Sequence, residues 1–100
     1  MKYGLSENTL TSIISCLSNF NSIDSAVLYG SRAKGNYKDG SDIDITLKGA
    51  NLTLNDVLKI ENEIDDLLLP YKFDISIFHQ INNLDLIDHI NRVGIEIYSK

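Results

Sequence analysis

Gly30-Ser31, ten further residues and then Asp42-Ile43-Asp44 gather a glycine turn and two carboxylates into one short stretch. Residues two apart on a strand share a face, so Asp42 and Asp44 would stand side by side while Ile43, Ile45 and Leu47 point into a core. Neighbouring carboxylates repel and gain nothing for folding. An all-oxygen pair of this kind suits a hard cation, Mg²⁺ or Mn²⁺. Glycine permits close backbone approach to a phosphate, and the amides opening the next helical turn make a small anion nest. The Ser31 hydroxyl can donate to a phosphate oxygen, and Arg32 and Lys34 can neutralise a triphosphate tail. Asp74, polar within the apolar run Phe73–Ile77, supplies a third carboxylate. Three carboxylates from two strands can hold two divalent cations about 3.5–4 Å apart, which suits in-line displacement at phosphorus.

The elements that must position these groups follow from periodicity. Leu10, Ile13, Ile14, Leu17 and Phe20 recur at helical spacing, so a first helix is expected over Glu7–Asn19 with Ser6 as its cap. Ser25–Tyr29 reads as a short strand stopped by Gly30, and Ser31–Gly35 has room for a single helical turn. Asp42–Leu47 is a second strand. Thr53 caps a helix expected over Leu54–Leu69, with Val57, Ile60, Ile64, Leu67 and Leu68 buried and Pro70 as the stop. Lys72–Phe78 alternates as a third strand, with Phe73, Ile75 and Ile77 on one face and Asp74 and Ser76 on the other. A last helix over Leu84–Val93 would end at Gly94 as C-cap, and Ile95–Tyr98 would add an edge strand.

This order, α-β-α-β-α-β-α with a short final strand, is an α/β (α+β) fold: a small mixed sheet with flanking helices. Convergence of Gly30, Asp42 and Asp74 constrains it further. The first strand must run antiparallel to the second, and the third parallel to the second, with the Leu54–Leu69 helix as a right-handed crossover.

At 100 residues, one domain over 1–100 is expected. A hydrophobic share of 43% and a charged share of 23% are ordinary for a globular chain. No apolar run approaches the roughly 20 residues of a membrane span, and Met1-Lys2-Tyr3-Gly4 lacks a signal-peptide pattern. Lone Cys16 reads as a small core residue. Together these predict a cytoplasmic protein. A net charge of −5 argues against direct nucleic-acid binding, while Arg32, Lys34 and Lys38 beside the turn leave room for a small anionic substrate. His79 and His89 fall away from the carboxylates in this reading, and Tyr29 reads as strand packing.

A Gly-Ser pair alone occurs in many turns; its spacing to Asp-x-Asp on a strand–turn–strand frame makes it specific. Gly30-Ser31-Arg32-Ala33-Lys34-Gly35, Ser41-Asp42-Ile43-Asp44-Ile45 and Phe73-Asp74-Ile75 resemble the DNA polymerase β-type nucleotidyltransferase superfamily, and more narrowly its minimal nucleotidyltransferases (MNT proteins). The resemblance covers nearly the whole chain. It implies a polymerase β-like palm core and transfer of a nucleoside monophosphate from an NTP, ATP above all, to an acceptor hydroxyl. By position, Asp42 and Asp44 match the pair that ligates two Mg²⁺ ions, Asp74 the third carboxylate, and Gly30 and Ser31 the triphosphate-binding turn. It also implies a partner, since larger relatives carry a second, helical domain: a separate HEPN-domain toxin, with this chain as its antitoxin adding AMP to a tyrosine, or a second copy in a homo-oligomer. Transfer to a small molecule and purely steric inhibition stay open as alternatives.

Overall fold

The computed structural model describes all residues, Met1–Lys100. Its elements run α1 (Glu7–Ser18), β1 (Ser25–Tyr29), α2 (Ser31–Lys34), β2 (Ile43–Lys48), α3 (Leu54–Asp66), β3 (Phe73–Ile77), a 3-10 turn (Phe78–Gln80), α4 (Leu84–Val93) and β4 (Ile95–Ser99). The four strands form one sheet in the order β3-β2-β1-β4. β1 is antiparallel to β2 and to β4, whereas β2 and β3 are parallel. These are the directions that convergence of the motif requires, and α3 makes the connection between the parallel pair.

Strand alternation divides the sheet's two faces. Ala26 and Leu28 of β1, Ile43, Ile45 and Leu47 of β2, and Ile77 of β3 form the main core with Ile13, Cys16 and Leu17 of α1 and Val57, Ile60 and Ile64 of α3. The opposite face carries a smaller cluster, Val27 and Tyr29 of β1 with Ile90 of α4, flanked by Phe78, Ile81 and Leu86. Thus α1 and α3 cover one face, and α4 covers only part of the other.

The caps follow sequence chemistry. The Ser6 hydroxyl accepts the Thr9 amide, and Thr53 and Asp56 form a reciprocal capping box. One expectation needs correction. α3 ends at Asp66, before Pro70, because Leu68 turns left-handed (φ 55°); that residue is 87% exposed rather than part of the buried stripe. Gly94 is the C-cap of α4 as expected, its amide donating to the Ile90 carbonyl at 2.8 Å, with an extended conformation (φ −60°, ψ 143°) in place of a left-handed one. Glycine is needed there for space: a Cβ would collide with the Ile90 carbonyl and approach Val27 Cγ1 within 2.7 Å.

Candidate active site

Register places the site. Tyr29 pairs with Asp44 across β1 and β2, and Asp44 pairs with Asp74 across β2 and β3, so the three stand in one row on the α4 side of the sheet. Beneath them, Thr46 and Ser76 face each other in the next register, where the Ser76 hydroxyl donates to Thr46 Oγ1 at 3.0 Å. That bond satisfies a hydroxyl in the fully buried Thr46. Asp42 precedes β2, but the Ile43 amide already donates to the Lys72 carbonyl at 2.9 Å, which keeps strand alternation at that point. Asp42 therefore follows Asp44 on the same face, both Asp42 and Asp74 being exposed and Asp44 partly covered.

The carboxylates feel one another. Asp44 is raised above the usual carboxylate range, first by burial, then by the charges of Asp74 and Asp42, with His89 pulling the other way. Burial likewise raises the Tyr29 phenol; the charges of Asp74 and Asp44 add to this, and a Ser76 hydrogen bond works against it. No lysine or arginine neutralises the row, since the chain's one ion pair joins Arg92 to Asp88.

Such a donor set, oxygen-only and acidic without a protein counter-charge, fits hard divalent cations in kind. Three like charges do not close on one point by themselves, and no three His, Cys, Asp or Glu side chains already form a metal cage. The row lies on an open face: none of the four surface grooves is lined by these residues.

Gly30 joins the turn to this row. Its φ of 76° lies in the left-handed region, and a Cβ there would run into the Asp44 carboxylate. Ser31 opens α2, whose first-turn amides lack intrahelical acceptors. Lys34 is exposed at the end of that helix. Gly30, Ser31, Asp42, Asp44 and Asp74 are thus neighbours, as the spacing predicts.

Two residues depart from expectation. Arg32 is not brought to the site: it is 3% exposed and its guanidinium donates to the carbonyls of Tyr3 and Ser41. Its position on a one-turn helix turns it inward, away from the exposed Lys34. His89, by contrast, belongs beside the site. Its Nε2 accepts the Gly30 amide at 3.0 Å and its ring stands edge-on to Tyr29, 6.2 Å between centroids. Sequence reasoning missed it because contact depends on where α4 crosses the sheet. The signal available was its place one residue before Ile90, on the helix's buried stripe.

A family model described as "Polymerase beta, Nucleotidyltransferase" matches residues 11–100. No curated protein matches the sequence. Among solved structures, the chain is similar to one from a toxin–antitoxin complex with AMP-PNP (TM-score 0.71, 20% identity, covering 96% of this chain and 75% of that one). It is also similar to one from a complex of tri-AMPylated Shewanella oneidensis HEPN toxin with MNT antitoxin (0.70, 16%, 96% and 74%). A third likeness is to a chain of the MntA–HepT toxin–antitoxin complex (0.69, 18%, 95% and 74%). With the family match spanning the turn, the Asp pair and Asp74, the chain belongs to the polymerase β nucleotidyltransferase family.

Proposed function

We propose that this nucleotidyltransferase moves AMP from ATP to a tyrosine hydroxyl on a HEPN-type partner, releasing pyrophosphate, and thereby acts as an antitoxin. The observation that carries the reading is the row itself: Asp44 stands between Gly30 of the turn and Asp74 of the neighbouring strand, on an open sheet face. Gly30 lets the triphosphate approach the backbone. Ser31 donates its hydroxyl and amide to phosphate oxygens, and Lys34 offsets their charge from the rim. Asp42, Asp44 and Asp74 would hold the divalent cations, which supply charge neutralisation and acceptor activation at the phosphorus. Asp74, exposed on an edge strand, is placed to take the proton of the incoming hydroxyl.

The open face favours a macromolecular acceptor over a small one, because this chain alone builds no pocket around the row. The AMP-PNP and AMPylated-toxin complexes formed by proteins of the same fold support both the nucleotide and the acceptor class. The direct test combines the chain, its cognate helical partner, labelled ATP and Mg²⁺. A partner that gains one adenylate on tyrosine, with loss of the gain in Asp42→Asn and Asp44→Asn, is the expected result. Stoichiometric inhibition with no ATP requirement would replace the reading with a steric one.

A further inference from the structure

Arg32 is a buried cation without a carboxylate partner, which demands a reason. Removing a guanidinium from water is costly unless its donors are satisfied. Here Nε and Nη2 both donate to the Ser41 carbonyl, at 3.2 and 2.8 Å, and Nη1 donates to the Tyr3 carbonyl at 2.9 Å. The rings of Tyr71 and Tyr37 lie 5.0 and 5.6 Å from its central carbon, within range of favourable cation–π attraction. An apolar side chain could fill this space. A planar fork of donors holds the Ser41 carbonyl through two bonds while a third reaches Tyr3, a geometry that a flexible ammonium does not fix.

Both segments matter to the site. Ser41 immediately precedes Asp42, and Arg32 itself lies in the helix opened by Ser31. The loop between them is exposed from Lys34 to Gly40, and a Cβ at Gly35 or Gly40 would meet nothing within 4 Å. Local hydrogen bonds between Lys38 and Ser41 shape only its last turn. The β1–β2 pairing of Tyr29 with Asp44 already brings Gly30 to Asp44, and the Arg32 fork adds a second tie, across the loop, between α2 and the residue before Asp42.

Tyr3 reaches the fork through a tight turn. The Lys2 and Leu5 backbones bond reciprocally at 3.1 and 2.8 Å, and both central residues have positive φ, 58° at Tyr3 and 74° at Gly4. Tyrosine in that region is strained, and burial of Leu5 (1% exposed) holds the turn in place. At Gly4 a Cβ would lie 2.5 Å from Tyr37 Cε2 and 2.8 Å from Arg32 Nη1, so the turn is seated directly on the guanidinium. The family match begins at residue 11, beyond this turn.

We infer that Arg32 is a positioning residue for the site and that Lys2–Leu5 is the clip holding it, together fixing Asp42 against the Ser31 turn. The inference rests on the proposed transfer reaction for its catalytic half, and its structural half is measured separately. Arg32→Lys keeps the charge but loses the fork; Gly4→Ala, the second variant, disturbs the clip while leaving the guanidinium in the chain. Hydrogen exchange by mass spectrometry is compared with wild type, alongside kcat and KM for ATP well below the thermal transition. Both variants are expected to speed exchange about tenfold or more at Ser31–Gly35 and Ser41–Asp44 while leaving α1 and α3 unchanged. Both should also lower kcat by about tenfold. Unchanged exchange, or an increase spread evenly over the chain, overturns the inference whatever the activity. Local loosening with wild-type kcat and KM also overturns it. A wild-type chain that transfers nothing refutes the proposed reaction instead, and the exchange pattern still decides whether the tie exists.

Discussion

The backbone amide of Gly30 donates to Nε2 of His89 at 3.0 Å, joining the motif's first glycine to a helix 59 residues later in the chain. In that bond Nε2 is the acceptor. The bond also gives α4 a purpose beyond covering Val27 and Tyr29: the helix holds the turn from the same face of the sheet as Asp44.

That relationship predicts a split between two substitutions. His89→Gln can keep an acceptor for the Gly30 amide, whereas His89→Phe keeps an aromatic ring beside Tyr29 and loses the acceptor. An unpaired amide costs about 1–3 kcal/mol, and each kcal/mol is worth roughly 4–8 °C in Tm for a domain of this size. His89→Phe should therefore lose several degrees and raise KM for ATP, while His89→Gln stays near wild type in both. Identical losses in calorimetry and kinetics would remove the hydrogen bond as the cause.

Gly30→Ala tests the close approach to Asp44. The substitution forces a side chain into a positive φ, at roughly 1–2 kcal/mol, and drives its Cβ into the Asp44 carboxylate. Expected are a Tm lower by several degrees and a transfer rate lower by tenfold or more. A variant with wild-type Tm and rate would show that the turn has room the structure denies.

Asp44 should trade stability for function. Its pKa is raised in the fold by burial and by Asp74 and Asp42, so the folded chain holds this proton more tightly than the unfolded chain does. By linkage, stability attributable to this group is greatest below the unfolded carboxylate pKa. It falls as pH rises through the folded value, and at neutral pH the full cost of the charge remains. In chelator-treated buffer at pH 7, Asp44→Asn should melt above wild type, and the difference should shrink as pH falls through the raised folded value, until the repulsive part is gone below about 4. Transfer should fall by about a thousandfold, the equivalent of ~4 kcal/mol in the barrier. A variant less stable than wild type at pH 7 would contradict the repulsion.

How much of this was legible in the sequence follows from the range of each interaction. Alternation in Phe73–Ile77 and the spacing from Gly30 to Asp42 are local, and they placed three strands, their directions and the carboxylate row. Gly94 is legible as the C-cap of α4, but its need for space against Val27 is not, because that contact exists only once α4 lies across β1. Arg32 was misread on similar grounds. A basic residue after Gly-Ser looks like a phosphate ligand until the Tyr3 and Ser41 carbonyls, from either side in sequence, are seen to use its donors. Leu68 offered no local sign at all, since a left-handed leucine ending a helix contradicts its own propensity.

Divalent cations should reverse the stability ranking of wild type and Asp44→Asn. An ion that binds the folded chain alone stabilises it by mass action, about 2.7 kcal/mol at a hundredfold excess over its Kd. For wild type this converts to roughly ten degrees or more in Tm. Mg²⁺ or Mn²⁺ should therefore lift wild type well above its value in chelator, whereas Asp44→Asn, with one fewer charged ligand, should respond weakly. Sodium chloride at matched ionic strength separates this from simple screening of the row, because screening also relieves the repulsion among Asp42, Asp44 and Asp74. The two effects differ in saturation: a specific site gives a Tm that follows the logarithm of cation concentration above Kd, while screening tracks ionic strength alone. If sodium and magnesium curves coincide once plotted against ionic strength, the carboxylate row is not a cation site. Its charges would then need a different purpose.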